Sequence, residues 1–168
     1  AQKVKSPTLI LTGRRELDDS LKEKVQSLTD LGAVVDYQAA DITDSQAVNQ
    51  LMQHIKETHA PLQGIIHSAG IIQDNFIINK SVDELKAVMA PKVSGLVHLD
   101  KATQQLTSLE FMVVFSSMAG VMGNIGQADY AAANGFMDYY VAYRNQLVSD
   151  KKRFGHTLSI NWPLWQQG

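Results

Sequence analysis

FMVVFSSMAGVMGNIGQADYAAAN, residues 111–134, is the stretch whose reading decides the fold. The apolar run Phe111 to Ser116 has strand character and ends in the paired hydroxyls Ser116-Ser117. A loop of small residues follows, after which Tyr130 and Asn134 stand four residues apart and therefore share one helical face. A hydroxyl at a strand's carboxyl end opposite a phenol on the next helix suggests proton transfer. A phenol, of pKa about 10, acts as a general acid at neutral pH only when nearby positive charge lowers that value, each unit being about 1.4 kcal/mol. Lys92 is the candidate for the charge, and the serine can bond a substrate carbonyl and share in stabilising a developing alkoxide.

The rest of the chain supplies the frame. Thr8 to Thr12 reads as a strand that Gly13 breaks, and Leu17, Leu21, Val25 and Leu28 form the apolar stripe of a helix closed by Gly32. Ala33 to Ala39 is β-rich, and Asp41 to Asp44 is a turn whose last members can cap a helix carrying Val48, Leu51, Met52 and Ile55. Leu62 to His67 is a third strand running into Ser68-Ala69-Gly70. Ser81-Val82-Asp83-Glu84 has the form of a capping box. Its helix is expected to be interrupted before Pro91, with a second piece from Pro91 to about Leu106. A helix from about Asp129 to Val148 and a strand from His156 to Trp162 complete the series.

Strands that are apolar throughout, separated by helical regions, describe a parallel sheet covered on both faces: a doubly wound α/β architecture drawn as one domain over residues 1–168. Ligands in such sheets sit outside the carboxyl ends of the strands. Those ends read Gly13-Arg14, Asp41-Ile42, Ser68-Ala69-Gly70, Ser116-Ser117 and Asn161-Trp162-Pro163, where small and polar residues gather.

Composition narrows the classes. With 45% hydrophobic residues, 19% charged and a net charge of −2, nothing favours nucleic acid or an anionic membrane as partner. Lys151-Lys152-Arg153 reads as a solvated loop. The absence of cysteine rules out disulfides, a thiolate nucleophile and Cys-bound metal. With no apolar leader in AQKVKSPT and no run long enough to span a membrane, cytoplasmic location is expected. His54 and His59, five apart, diverge around a helix, so no metal site is expected.

These residues resemble the short-chain dehydrogenase/reductase superfamily, and within it the ketoreductase domains of modular polyketide synthases and related fatty-acid synthases. The superfamily's usual pattern places lysine four residues after the tyrosine. This chain has Tyr130-Ala131-Ala132-Ala133-Asn134, with its lysine in Pro91-Lys92-Val93-Ser94-Gly95, an exchange that marks the synthase ketoreductases. FSSMAG, YAAAN and INWPLW look like the same family's segments. The resemblance implies that Tyr130 donates the proton to the carbonyl oxygen and that Ser117, rather than Ser116, binds that oxygen. Lys92 and Asn134 would complete the proton relay and orient the nicotinamide ribose.

The resemblance also implies a nicotinamide cofactor. Arg14, after Thr12-Gly13 and with no acid until Glu16, favours NADPH over NADH, because arginine accommodates a 2′-phosphate. Asp41-Ile42 looks like the family's adenine contact, Ser68-Ala69-Gly70 like the small-residue turn beside the cofactor, and Pro163-Leu164 like the segment covering the nicotinamide. The implied substrate is a β-ketoacyl thioester on the phosphopantetheine arm of an acyl carrier protein. Asp74, Met122 and Gln127 are the candidates for substrate orientation. Ile72-Gln73-Asp74 retains the last aspartate of the Leu-Asp-Asp motif of one stereochemical class, and Met122 stands where the opposite class often has tryptophan; the first class is the better match.

The chain departs from the family in one respect. No strand is followed by a GxGxxG-like turn, which lets backbone approach a pyrophosphate. TLILTGRR matches the family's second strand, so the fold is expected to lack its first strand in this chain, leaving an open slot between the strands at Thr8 and Leu62. The missing strand and an accessory subdomain would come from the rest of the synthase polypeptide or from another chain. Two other readings stand beside this one: a non-catalytic docking segment of a synthase, and a free-standing dehydrogenase on a small alcohol or sugar. Lysine at 134 would favour the latter, and Asn134 does not.

Overall fold

A computed structural model describes residues 6–59 and 61–163. Strand β1 (Thr8–Gly13) pairs in parallel with β2 (Val34–Ala39), from Thr8 opposite Val34 to Gly13 opposite Ala39. Helix α1 (Asp19–Asp30) makes the crossover, and the Leu21 N–H donates to the Asp18 carboxylate at 2.8 Å to cap it. Helix α2 (Ser45–Thr58) follows β2, capped by Asp44 from the turn that the sequence marks.

The second half is a three-stranded parallel sheet in the order β3 (Gly64–His67), β4 (Phe111–Ser117), β5 (His156–Trp162). Among the described residues no ladder joins β1 to β3. The expected slot is there instead, a cavity of about 530 Å³ with Ile10 and Thr12 on one wall and Leu62, Ile65 and Ile66 on the other. Strand β4 alternates buried Met112, Val114 and Ser116 with half-buried neighbours, so its two faces are covered unequally, unlike the evenly apolar strand expected.

Helix α3 (Val82–Lys92) opens on the Ser81/Glu84 capping box, both of whose bonds form. Pro91 corrects the expected break: it lies inside the last turn, and the helix ends two residues later at Val93, whose N–H still donates to the Met89 carbonyl at 2.8 Å. Proline is tolerated there because almost no helix remains to be disrupted. Helix α4 (Ser94–Ala102) stops short of Leu106, giving way to turns. Helix α5 (Met118–Met122) occupies what the sequence reads as loop, and α6 (Ala128–Ser149) is the longest element.

Leu96 of α4, Met112 and Val114 of β4 and Met137 and Val141 of α6 form the main core; Ile42, Val48 and Leu99 form a smaller one. Beside the first is a buried charged hub. Asp100 accepts from Arg144 Nε at 2.8 Å, Arg153 Nε at 3.0 Å and the Tyr140 hydroxyl at 2.9 Å. Arg144, fully buried, also donates to the carbonyls of Phe154 and Gly155 and to the Thr157 hydroxyl, tying α4 and α6 to the entry of β5. Arg153 is therefore no member of a solvated basic loop. No described helix is long and apolar enough to cross a membrane.

Candidate active site

The carboxyl end of β4 carries the site. Ser116 and Ser117 point to opposite sides of the strand, as adjacent strand residues must. Ser116 is buried and donates to the Asn134 carbonyl at 3.2 Å, a link between β4 and α6. Ser117 lines a cavity of about 480 Å³ together with Tyr130, Lys92, Met122, Gln127 and Pro163. Its Oγ caps α5 by accepting from the Ala119 N–H at 3.1 Å, which leaves the hydroxyl proton free to be donated elsewhere.

Lys92 ends α3 with its side chain almost fully enclosed, and its Nζ donates to the Phe115 carbonyl at 2.9 Å. That Nζ is 5.4 Å from the centre of the Tyr130 ring, within cation–π range. Burial pushes the Lys92 ammonium down to about 8, and the Asp138 carboxylate works against that fall. Gly70 makes room for the lysine: a Cβ there would lie 2.9 Å from Lys92 Cε. Asn134 is wholly buried; its amide donates to the Tyr130 carbonyl at 2.7 Å, while its Oδ1 has no hydrogen-bond partner among the described residues.

Helix α5 packs closely on α6, since a Cβ on Gly120 would lie 2.9 Å from the Gly135 nitrogen. The start of α6 is held from the other side. Lys80 Nζ sits 2.6 Å from Asp129 Oδ2, both side chains buried, and also donates to the Gln73 carbonyl. Gln127 donates to Asp74 at 2.9 Å, so two residues singled out for substrate orientation touch, while Met122 is largely exposed at the cavity mouth.

The slot cavity is contiguous with this one, sharing Ser68 and Gly70. Gly13, Arg14, Asp41, Ile42, Ser68, Ala69 and Gly70 all line it. Arg14 is exposed, and the Asp41 carboxyl is held below its ordinary value by the Thr43 N–H, its hydroxyl and the Arg14 charge. Ile42 borders the cavity while its side chain packs into the smaller core. Leu164 lies outside the described residues.

Three contributors escape the sequence reading. Asp138 accepts from Ser159 at 2.5 Å and Asn161 at 2.8 Å beneath Lys92; its place four residues after Asn134 on the same face is the signal that could have found it. His67, the last residue of β3, is buried and pushed down to about 4 by burial and by the Lys92 charge. The Lys80–Asp129 pair spans 49 residues of chain and has no local signature.

The KR domain family model matches residues 3–167. The polyketide synthase PksN of Bacillus subtilis (strain 168) is 48% identical over the whole chain, which spans 3% of that protein's length. Among solved structures, a ketoreductase domain from the bacillaene assembly line is 48% identical with a TM-score of 0.92, over 96% of this chain and 38% of that one. An N-terminal ketoreductase from the macrolactin assembly line is 46% identical with a TM-score of 0.90, over 96% of this chain and 32% of that one.

Proposed function

This chain belongs to the KR domain family, the ketoreductases of polyketide synthases, and from that premise we propose that it reduces the β-keto group of an acyl thioester to a β-hydroxyl, using NADPH, with the acyl chain borne on an acyl carrier protein. The observation that carries the reading is Lys92 Nζ poised 5.4 Å over the Tyr130 ring in a cavity that also receives Ser117.

Tyr130 gives its phenolic proton to the carbonyl oxygen, and the Ser117 hydroxyl donates to the same oxygen as charge builds there. The Lys92 ammonium favours the phenolate that Tyr130 becomes. One of its three N–H bonds is used on Phe115, leaving two for the phenol oxygen and a ribose hydroxyl. The unpaired Asn134 Oδ1 can accept from a water that returns the proton. Gln127, fixed by Asp74, and Met122 border the acyl group; the retained Asp74 favours the Leu-Asp-Asp stereochemical class.

The residues present fit a dinucleotide in part. The Arg14 guanidinium would meet a 2′-phosphate, Asp41 and Ile42 the adenine, Ser68 to Gly70 the middle of the molecule, and Lys92, Tyr130 and Pro163 the nicotinamide half. Bound there, NADPH supplies the hydride. The slot between β1 and β3 supports the further proposal that residues 1–168 are the second-to-sixth-strand part of the catalytic subdomain. The rest of the synthase polypeptide would fill the slot with a strand and its glycine-rich turn.

Tyr130→Phe in the full-length polypeptide tests the mechanism. NADPH oxidation with a β-ketoacyl thioester is expected to fall about 10³-fold, with NADPH binding by fluorescence nearly unchanged. Undiminished turnover removes Tyr130 as the acid, and a wild-type polypeptide that binds no NADPH favours the docking reading instead.

A further inference from the structure

The β1–β2 half carries a second polar cluster, and none of its members lines either cavity. Asp36 stands in the middle of β2, His54 on α2, and His59 at that helix's C-cap. Two histidines five apart on a continuous helix would diverge, which was the sequence expectation. His59 has left the helix instead: its φ of −122° and ψ of 166° are extended, and the turn carries its ring back beside that of His54, centres 5.9 Å apart. Both Nε2 atoms lie 2.7 Å from the same oxygen, Asp36 Oδ2. The three ligand atoms fall within 4.8 Å of one another, and the side chains are only 15 to 35% exposed.

Protons alone do not satisfy this arrangement. Gln38 Nε2 donates to Asp36 Oδ1 at 2.6 Å and also lies 3.0 Å from His54 Nε2. If His54 Nε2 accepts from that amide, its lone pair and the Asp36 carboxylate oxygen are two acceptors in contact. If it instead carries a proton toward Asp36, it meets the amide's second N–H donor to donor. A cation that takes electron pairs from both nitrogens and the oxygen removes the conflict.

We propose that His54 Nε2, His59 Nε2 and Asp36 Oδ2 hold a divalent transition-metal ion of the Zn²⁺ type, with solvent as fourth ligand, pinning the C-terminal end of α2 to β2. Two imidazoles and one carboxylate are a donor set that suits zinc rather than magnesium or calcium. Ligands at about 2.0–2.2 Å from a tetrahedral ion stand roughly 3.3 Å apart, so each of the two nitrogen–oxygen contacts need open by only ~0.6 Å to admit one. Gln38 on Asp36 Oδ1 directs the other oxygen to the metal, and the Thr58 hydroxyl, 3.5 Å from His54 Nδ1, is placed to accept the proton that moves to that nitrogen.

The test is calorimetric titration of the EDTA-treated full-length polypeptide with ZnCl₂, beside the His54→Ala/His59→Ala double variant and the near-isosteric Asp36→Asn. The double variant is expected to bind one equivalent fewer, and Asp36→Asn to bind that equivalent at least tenfold more weakly. Thioester reduction by both variants should stay at the wild-type rate. Equal stoichiometry and affinity in all three proteins overturns the proposal. Should the variants not fold, Co²⁺ added to the wild type decides: the visible absorption of four-coordinate cobalt, displaced by Zn²⁺, supports the site, and its absence refutes it.

Discussion

The two halves of the molecule are built to different standards. Around β3, β4 and β5 lie the main core, the fully buried Arg144 and the enclosed Lys92 and Asn134. Around β1 and β2 the sheet has two strands, α1 buries no residue, and one wall is an open cavity. The half proposed to do proton transfer is fixed by the larger core and by buried charge, whereas the half proposed to hold the nucleotide's far end rests on the smaller core and on hydrogen bonds at the surface. One such bond runs from the Tyr37 hydroxyl to the Arg15 carbonyl at 2.6 Å, both residues near the surface. Precision of about half an ångström is needed where a proton moves, and a loosely gripped nucleotide end can still be recognised by charge.

Arg144→Ala should give the largest stability loss, about 3–5 kcal/mol, because it strands the Asp100 carboxylate in the interior with Arg153 as its remaining cation. A urea midpoint within error of wild type would show the hub to be dispensable and the contrast overstated. Next comes acid sensitivity. His67 is pushed from 6.5 to about 4 in the folded protein, so between those values the unfolded chain binds a proton that the folded one refuses. Stability therefore drops as pH falls through that window, by roughly 3 kcal/mol in full. Urea melts at the two ends should show the loss in wild type and a smaller one in His67→Asn; equal losses would place the sensitivity elsewhere.

Gly120→Ala should cost about 1–3 kcal/mol by forcing α5 off α6, with reduction losing more than stability because Ser117 caps the displaced helix. Denaturation and turnover measured together separate the two effects. The smallest change is expected in the other half: Leu28→Ala, on a helix with no buried residue, should cost under about 2 kcal/mol, below the range for a core leucine. A larger value would mean that α1 is anchored as firmly as α6.

What the sequence made legible was whatever depends on neighbours along the chain. Strand placement, the caps at Asp44 and Ser81, and the grouping of Tyr130, Ser117 and Lys92 around one cavity follow from short-range pattern together with the family-like spacing. What stayed hidden depends on geometry at element ends. The helix ended at Val93 rather than before Pro91, because a proline in a last turn displaces little. His59 met His54 because one residue left the helix. Arg153 was hidden in a basic run because only the fold brings Asp100, 53 positions earlier, against it.

The contact at Gly120 sets where this active site can be redesigned. A Cβ at position 120 would lie 2.9 Å from both the Asn134 Cβ and the Gly135 nitrogen, so that position offers no room for diversity. Two residues later the chain emerges: Met122, 75% exposed, stands at the mouth of the cavity, and Ile125 beyond it is 84% exposed. A library that varies 121, 122, 124 and 125 and holds Gly120 and the positive-φ Gly123 constant would probe the proposed acyl site on a folded scaffold, while one that includes 120 would fill largely with chains that never form the α5–α6 contact.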